Sequence, residues 1–117
     1  MSDSILRSKS KEYAKQVVFL CRKLKANRIE SPLVSQLLRC GTSVGANIHE
    51  AQYAQGTKDF ISKLEIALKE CNESAFWLEL LFETDSLSKE DFETFSDYVI
   101  ELRRMLVSSV TTLKSKL

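Results

Sequence analysis

Turn-forming residues are scarce in this chain, with three glycines and one proline among 117 residues. A many-stranded sandwich or barrel needs far more sharp bends, so an all-β architecture is excluded. Histidine is scarcer still: His49 stands alone. A di-iron bundle requires Glu-x-x-His on two helices, and the zinc-protease helix requires a second histidine after His49-Glu50, so neither fits. The chain also lacks a Gly-x-x-x-x-Gly-Lys loop and a Gly-x-Ser-x-Gly elbow, which removes the common phosphate-loop and nucleophile-elbow enzymes. Cys21, Cys40 and Cys71 are widely spaced, odd in number and set among apolar neighbours. They read as reduced core residues rather than as a disulfide frame or a closed zinc site. No uninterrupted apolar run has membrane-spanning length, and the opening MSDSILRSKSKEY lacks the apolar core of a secretory signal. The expectation is a cytoplasmic, non-enzymatic protein with no membrane partner, no metal and no cofactor.

What is present is an ordinary share of apolar residues, 44%, interleaved with 28% charged ones. At this length a single domain can bury a real core without staples. Ser31-Pro32 pairs a helix N-cap with a first-turn proline, Gly56-Thr57 a helix stop with a new start, and Ser88 with Asp91 forms a capping-box variant. These marks cut the chain into helices of about 5–28, 32–55, 58–84 and 89–116. Each carries helical apolar spacing. The first has Tyr13, Val17, Leu20, Cys21 and Leu24; the second Val34, Leu37, Leu38, Gly41, Val44, Gly45, Ile48 and Ala51. The third has Phe60, Leu64, Ala67, Leu68, Cys71, Ala75, Leu78 and Phe82; the fourth Phe92, Phe95, Val99, Leu102, Leu106 and Leu113. Long helices with short connections predict an all-α fold, an antiparallel up-down-up-down four-helix bundle.

Two helices depart from a plain amphipathic pattern. Gly41 and Gly45 lie mid-helix, where each costs roughly 0.5–1 kcal/mol against alanine. Such a Gly-x-x-x-Gly face, extended by Ala46, predicts close backbone approach inside the bundle. The third helix carries Ile61, Ile66, Phe76, Trp77 and Leu80 outside its core row. A helix that is apolar on more than one side tends to face a second partner. With Tyr53, these residues form a candidate self-association surface.

The net charge of +1 hides segregation. Residues 1–29 hold eight basic and two acidic residues, a balance of +6, whereas residues 65–101 hold two lysines and eleven acids, a balance of −9. Residues 30–64 are neutral and residues 102–117 carry +4. At 100° per residue, Arg7, Lys11, Lys15, Arg22 and Lys25 fall in a stripe about 80° wide and roughly 27 Å long. Such a stripe is either a solvated face, a complement to an acidic neighbour, or a track for nucleic-acid phosphates. Arg39, Arg103 and Arg104 are candidate helpers of the last. A polar group of Asn47, His49, Glu50 and Gln52 is expected to face Glu70 and Glu73. Paired carboxylates there would offer a metal-binding or catalytic alternative, which base rates disfavour.

The run Leu37-Leu38-Arg39-Cys40-Gly41-Thr42-Ser43-Val44-Gly45-Ala46-Asn47-Ile48-His49-Glu50-Ala51-Gln52 resembles the signature of the four helix bundle protein family, also called the 23S rRNA intervening-sequence protein family. Its pattern is a Leu-x-Arg lead, a Ser-(Ile/Val)-x-x-Asn-Ile-x-Glu core and a Phe-containing third helix, here opened by Lys58-Asp59-Phe60. The block Asn72-Glu73-Ser74-Ala75-Phe76-Trp77-Leu78-Glu79-Leu80-Leu81 is similar to the family's Glu-rich, Trp-Leu close. His49-Glu50-Ala51 stands where many members have Ala-Glu-Gly. The resemblance implies the four-helix bundle, a ring-shaped homopentamer, and association with RNA or DNA and a protein partner in a related, more basic branch. It implies no enzyme activity. The resulting expectation is an oligomeric interaction protein of nucleic-acid-associated type, with a purely structural homo-oligomer as a further reading.

Overall fold

Helix ends set the architecture. The computed structural model describes residues 3–117, with side chains from Ile5 onward. Four helices occur: α1 (Asp3–Ala26), α2 (Ser31–Ala51), α3 (Thr57–Glu83) and α4 (Lys89–Lys114). Ser88 caps α4 as its sequence predicts, accepting from the Asp91 amide at 3.0 Å. At α2, however, the cap position is Glu30, whose carbonyl takes the amides of Leu33 and Val34, and Ser31 is already helical. Pro32 sits in that first turn, where an amide would lack an intrahelical partner anyway.

α2 stops at Ala51, short of the expected 55. Gln52, Tyr53 and Ala54 donate instead to carbonyls three residues back, a tightened final turn that satisfies the last carbonyls. α1 and α3 end without glycine. Arg28 (φ 62°) and Asp85 (φ 59°) take the left-handed position, and the next amides, Ile29 and Ser86, reach back to Leu24 and Leu81. The glycines are therefore used elsewhere: those of α2 are packing residues.

Contacts between neighbouring helices run in opposite order. Cys21 meets Val34 and Val17 meets Gly41 across α1 and α2, while Ser10 meets Gly45. Lys9 pairs with Glu101 and Lys23 with Asp91 across α1 and α4. Cys71 meets Val99 and Glu65 meets Lys114 across α3 and α4. The five-residue connection 52–56 leaves α2 and α3 antiparallel as well. The result is an elongated bundle, 47 × 21 × 19 Å, in which each helix touches two others and the α1–α4 seam is the thinnest. None of the helices is long and apolar enough to cross a membrane.

The core follows one seam per helix, and in α3 that seam differs from expectation. Ile61, Leu64, Ala67, Cys71, Ser74, Leu78 and Leu81 are buried, a 3-4 spacing like a coiled-coil seam. Phe60, Leu68, Ala75 and Phe82 flank it, half-buried. Phe82 fills the α3–α4 seam instead, stacked on Phe92 at 4.4 Å. On α3 the two phenylalanines thus flank the axis, which is filled by aliphatic and smaller side chains. Ile61 is consequently no interface residue: it is 4% exposed and belongs to the core. In α4, Val110 rather than Leu113 completes the buried row.

Gly41 and Gly45 make the α1–α2 contact. A methyl group at Gly41 would stand 2.9 Å from both methyls of Val17, and one at Gly45 would stand 3.2 Å from the Ser10 carbonyl oxygen. At mid-bundle the Tyr13 side chain crosses the core, packed against Phe95 and Tyr98, its hydroxyl buried near Ser74 with no hydrogen bond of normal geometry among the described residues. Burial pushes its ionisation well above the usual phenol range.

Candidate functional site

The bundle sorts the bases of α1 into two sets. Lys9 and Lys23 point at α4, where Glu101 and Asp91 hold them at 2.7 and 2.8 Å. Part of the segregated charge is therefore neutralised within the molecule, basic helix against acidic helix. The stripe residues Arg7, Lys11, Lys15, Arg22 and Lys25 lie on another face and are all exposed. Lys15 has Glu12 at 3.6 Å one turn away, a weak exposed contact. Arg7, Lys11, Arg22 and Lys25 make no ion pair among the described residues. Arg22 instead lies over the ring of Phe19, 5.9 Å from its centroid.

The N-terminal half of this stripe forms one wall of a cleft. Arg7, Ser8, Lys11 and Ala14 from α1 face Thr42, Gly45, Ala46 and His49 from α2 across an open space of about 560 Å³. The cleft exists because its floor is built from small residues. Its α2 wall ends at His49, whose ring meets that of Tyr53, outside the lining, at a centroid distance of 5.5 Å. A second open recess, about 670 Å³, lies between the α2–α3 turn and the end of α4, where hydroxyls of Thr57, Ser108, Ser109 and Thr112 mix with Phe60 and Leu113.

The proposed helpers of the stripe are placed elsewhere. Arg39 is bound across the α2–α3 seam, with Nη1 3.1 Å from Glu70 and Nη2 on Glu73. Trp77 Nε1 also donates to Glu73 at 3.0 Å. The Trp77 bond and then Arg39 hold the Glu73 carboxyl below the usual carboxylate range. Arg39 is therefore not an extension of the stripe: its charge is answered by two carboxylates. Arg103 and Arg104 are both exposed, on α4 rather than on α1.

The motif's polar residues do not converge. Asn47 donates to the Ser43 carbonyl at 2.9 Å and Gln52 to that of Ile48 at 3.4 Å, both within their own helix. Glu50 is exposed and lies eleven residues beyond Arg39, about 16 Å at the helical rise, so it does not reach Glu70 and Glu73. No three of the described His, Cys, Asp and Glu residues group as metal ligands. All three cysteines are buried and free. Burial raises their ionisation, to about 11 for Cys21 and Cys71, which makes poor nucleophiles of them.

Of the apolar surface residues, Phe76 (55% exposed) and Ile66 stand open on α3. Trp77 and Leu80 are half-buried, Trp77 edge-on to Phe76 at 5.0 Å. Tyr53 is separate from them, its ring against that of His49, which lines the α1–α2 cleft. Helix periodicity finds the stripe, since it lies on one helix. The cleft and its aromatic end draw on two helices; their only signal in the sequence is the run of small residues Thr42, Gly45 and Ala46 on one face of α2.

The family model described as 23S rRNA-intervening sequence protein matches residues 2–108. Among solved structures, a protein of unknown function from the S23 ribosomal protein family of Bacteroides thetaiotaomicron VPI-5482 is similar at 42% identity with a TM-score of 0.92. The match covers 95% of this chain and 99% of that one. No curated protein matches significantly. The motif on α2, the bundle it builds and a match over nearly the whole length agree: the chain belongs to the 23S rRNA-intervening sequence protein family.

Proposed function

We propose that the protein is a non-enzymatic interaction module that associates with RNA through the outer face of α1 and works as a homo-oligomer. One observation carries the reading: Arg7, Lys11, Arg22 and Lys25 have no ion-pair partner among the described residues, although α4 supplies carboxylates that take Lys9 and Lys23. What sets these four apart from the other unpaired bases is that they line up on one face of one helix. A row of unanswered cations on a straight helix suits a polyanion, because each phosphate it neutralises releases counterions. Glu70 and Glu73, the carboxylates weighed as a rival site, are engaged by Arg39 and Trp77.

The test is an electrophoretic shift with RNA at low salt. Wild-type protein shifts the RNA, and replacing Arg7, Lys11 and Arg22 with Glu abolishes the shift while light scattering shows an unchanged oligomer. No shift by the wild type at low salt removes the reading. Self-association rests on Phe76 and Ile66, which together with Trp77 leave α3 apolar on its outer side. Phe76→Glu is expected to lower the mass measured by light scattering, and a monomeric wild type at micromolar concentration refutes this part. A homopentamer is the assembly proposed.

A further inference from the structure

We infer that the cleft between α1 and α2 takes unpaired nucleic acid, with phosphates on Arg7 and Lys11 and a base on the ring of Tyr53. This rests on the phosphate-tracking role of the stripe and adds what the stripe alone lacks, a means of choosing single strands over duplexes.

Proteins that hold single strands combine a cationic groove with exposed aromatic rings on which bases stack. Both are here, contributed by different helices. The groove is open because Ala14, Gly45 and Ala46 project little from its floor, so a phosphate can approach the backbone between Arg7 and Lys11. Tyr53 is 73% exposed, the most exposed of the large apolar side chains among the described residues. Its position is set: the Tyr53 amide donates to the Glu50 carbonyl at 3.0 Å, and its ring leans on His49, which lines the cleft. Along the stripe, Arg22 over the half-exposed Phe19 repeats the pairing of cation and ring. In a duplex the base faces are already stacked on one another and unavailable to these rings, whereas an unpaired base can turn onto them.

The test measures fluorescence anisotropy of wild-type protein and variants with three probes of about 12 nucleotides: an oligoadenylate RNA strand, an RNA duplex, and an abasic phosphodiester strand. Wild type is expected to bind the adenine strand tightest. Tyr53→Ala should weaken that binding about tenfold or more, with no effect on the duplex, the abasic strand or the salt slope. Tyr53→Phe, which keeps the ring, should retain wild-type affinity. Lys11→Glu should weaken all three probes and flatten their salt dependence. The inference is overturned if Tyr53→Ala leaves the adenine strand unaffected, weakens all three probes alike, or changes the mass seen by light scattering. In those cases the stripe still binds phosphate. If no probe binds the wild type at low salt, the stripe reading fails and takes this inference with it.

Discussion

Gly41→Ala separates two opposing effects of one methyl group. In an exposed helix the change stabilises by about 1 kcal/mol, because alanine loses less backbone freedom on folding than glycine. Here the new methyl would lie 2.9 Å from each of two Val17 methyls. Val17 is fully buried and β-branched, with essentially one side-chain rotamer available in a helix, so it cannot turn away. Overpacking of this kind costs roughly 1–3 kcal/mol, so the expected net result is destabilisation by about 1–2 kcal/mol. Urea denaturation should show the midpoint falling with an unchanged slope. The decisive measurement is a double-mutant cycle. In a Val17→Ala background the two methyls are gone and only the residue 17 Cβ remains, 3.3 Å away, so Gly41→Ala should there lose most of its cost, giving a coupling of about 1–3 kcal/mol. Should Gly41→Ala stabilise the wild type, or behave identically in both backgrounds, the close approach of α1 and α2 is not what selects glycine.

Three further outcomes follow from the core and the α2–α3 seam. Tyr13→Phe removes a buried hydroxyl that makes no hydrogen bond of normal geometry among the described residues and should raise stability by about 1 kcal/mol, read from the same urea curves; a loss of that size would mean the hydroxyl is bonded to the nearby Ser74. Cys21, Cys40 and Cys71 should resist Ellman's reagent in the native protein at mildly alkaline pH and all react in denaturant, because burial raises their ionisation; rapid labelling of any one in the folded state contradicts its place in the core. Glu73 has a lowered folded-state pKa, so its contribution to stability is present above the ordinary value of 4.5 and is lost as pH falls through the lowered folded value. Trp77→Phe keeps the ring but removes the largest cause, and carboxyl NMR titration should then place Glu73 nearer the ordinary value.

The four helices were readable because their signals are local. Apolar spacing, Pro32, and Ser88 with Asp91 act within a turn or two, and a long helix leaves little else for such a pattern to be. The ends of α1 and α3 were not readable, since Arg28 and Asp85 adopt a left-handed conformation usually marked by glycine or asparagine. In the α3 core row Leu64, Ala67, Cys71 and Leu78 are as the periodicity predicts, while Ile61, Ser74 and Leu81 replace Phe60, Ala75 and Phe82 as the buried positions. Its apolar residues cover too much of the helix for periodicity to choose among them, and packing against α2 and α4 decided that Ile61 and Leu81 point inward while Phe60 and Phe82 fill seams. The stripe could be drawn from sequence as one face of one helix. Which of its bases have partners could not, because Glu101 and Asp91 lie on α4, and Glu70 and Glu73 meet Arg39 only after α2 and α3 pair.

By itself, then, the sequence determined the helices, the all-α bundle and the family, since these depend on residues near one another along the chain. Tertiary structure alone decided which charges are spent inside the molecule and which face solvent, and it alone placed Tyr53 and His49 at the end of a cationic cleft. Charge pairing and clefts depend on distances between helices, and one helix's periodicity contains no information about its neighbour's register.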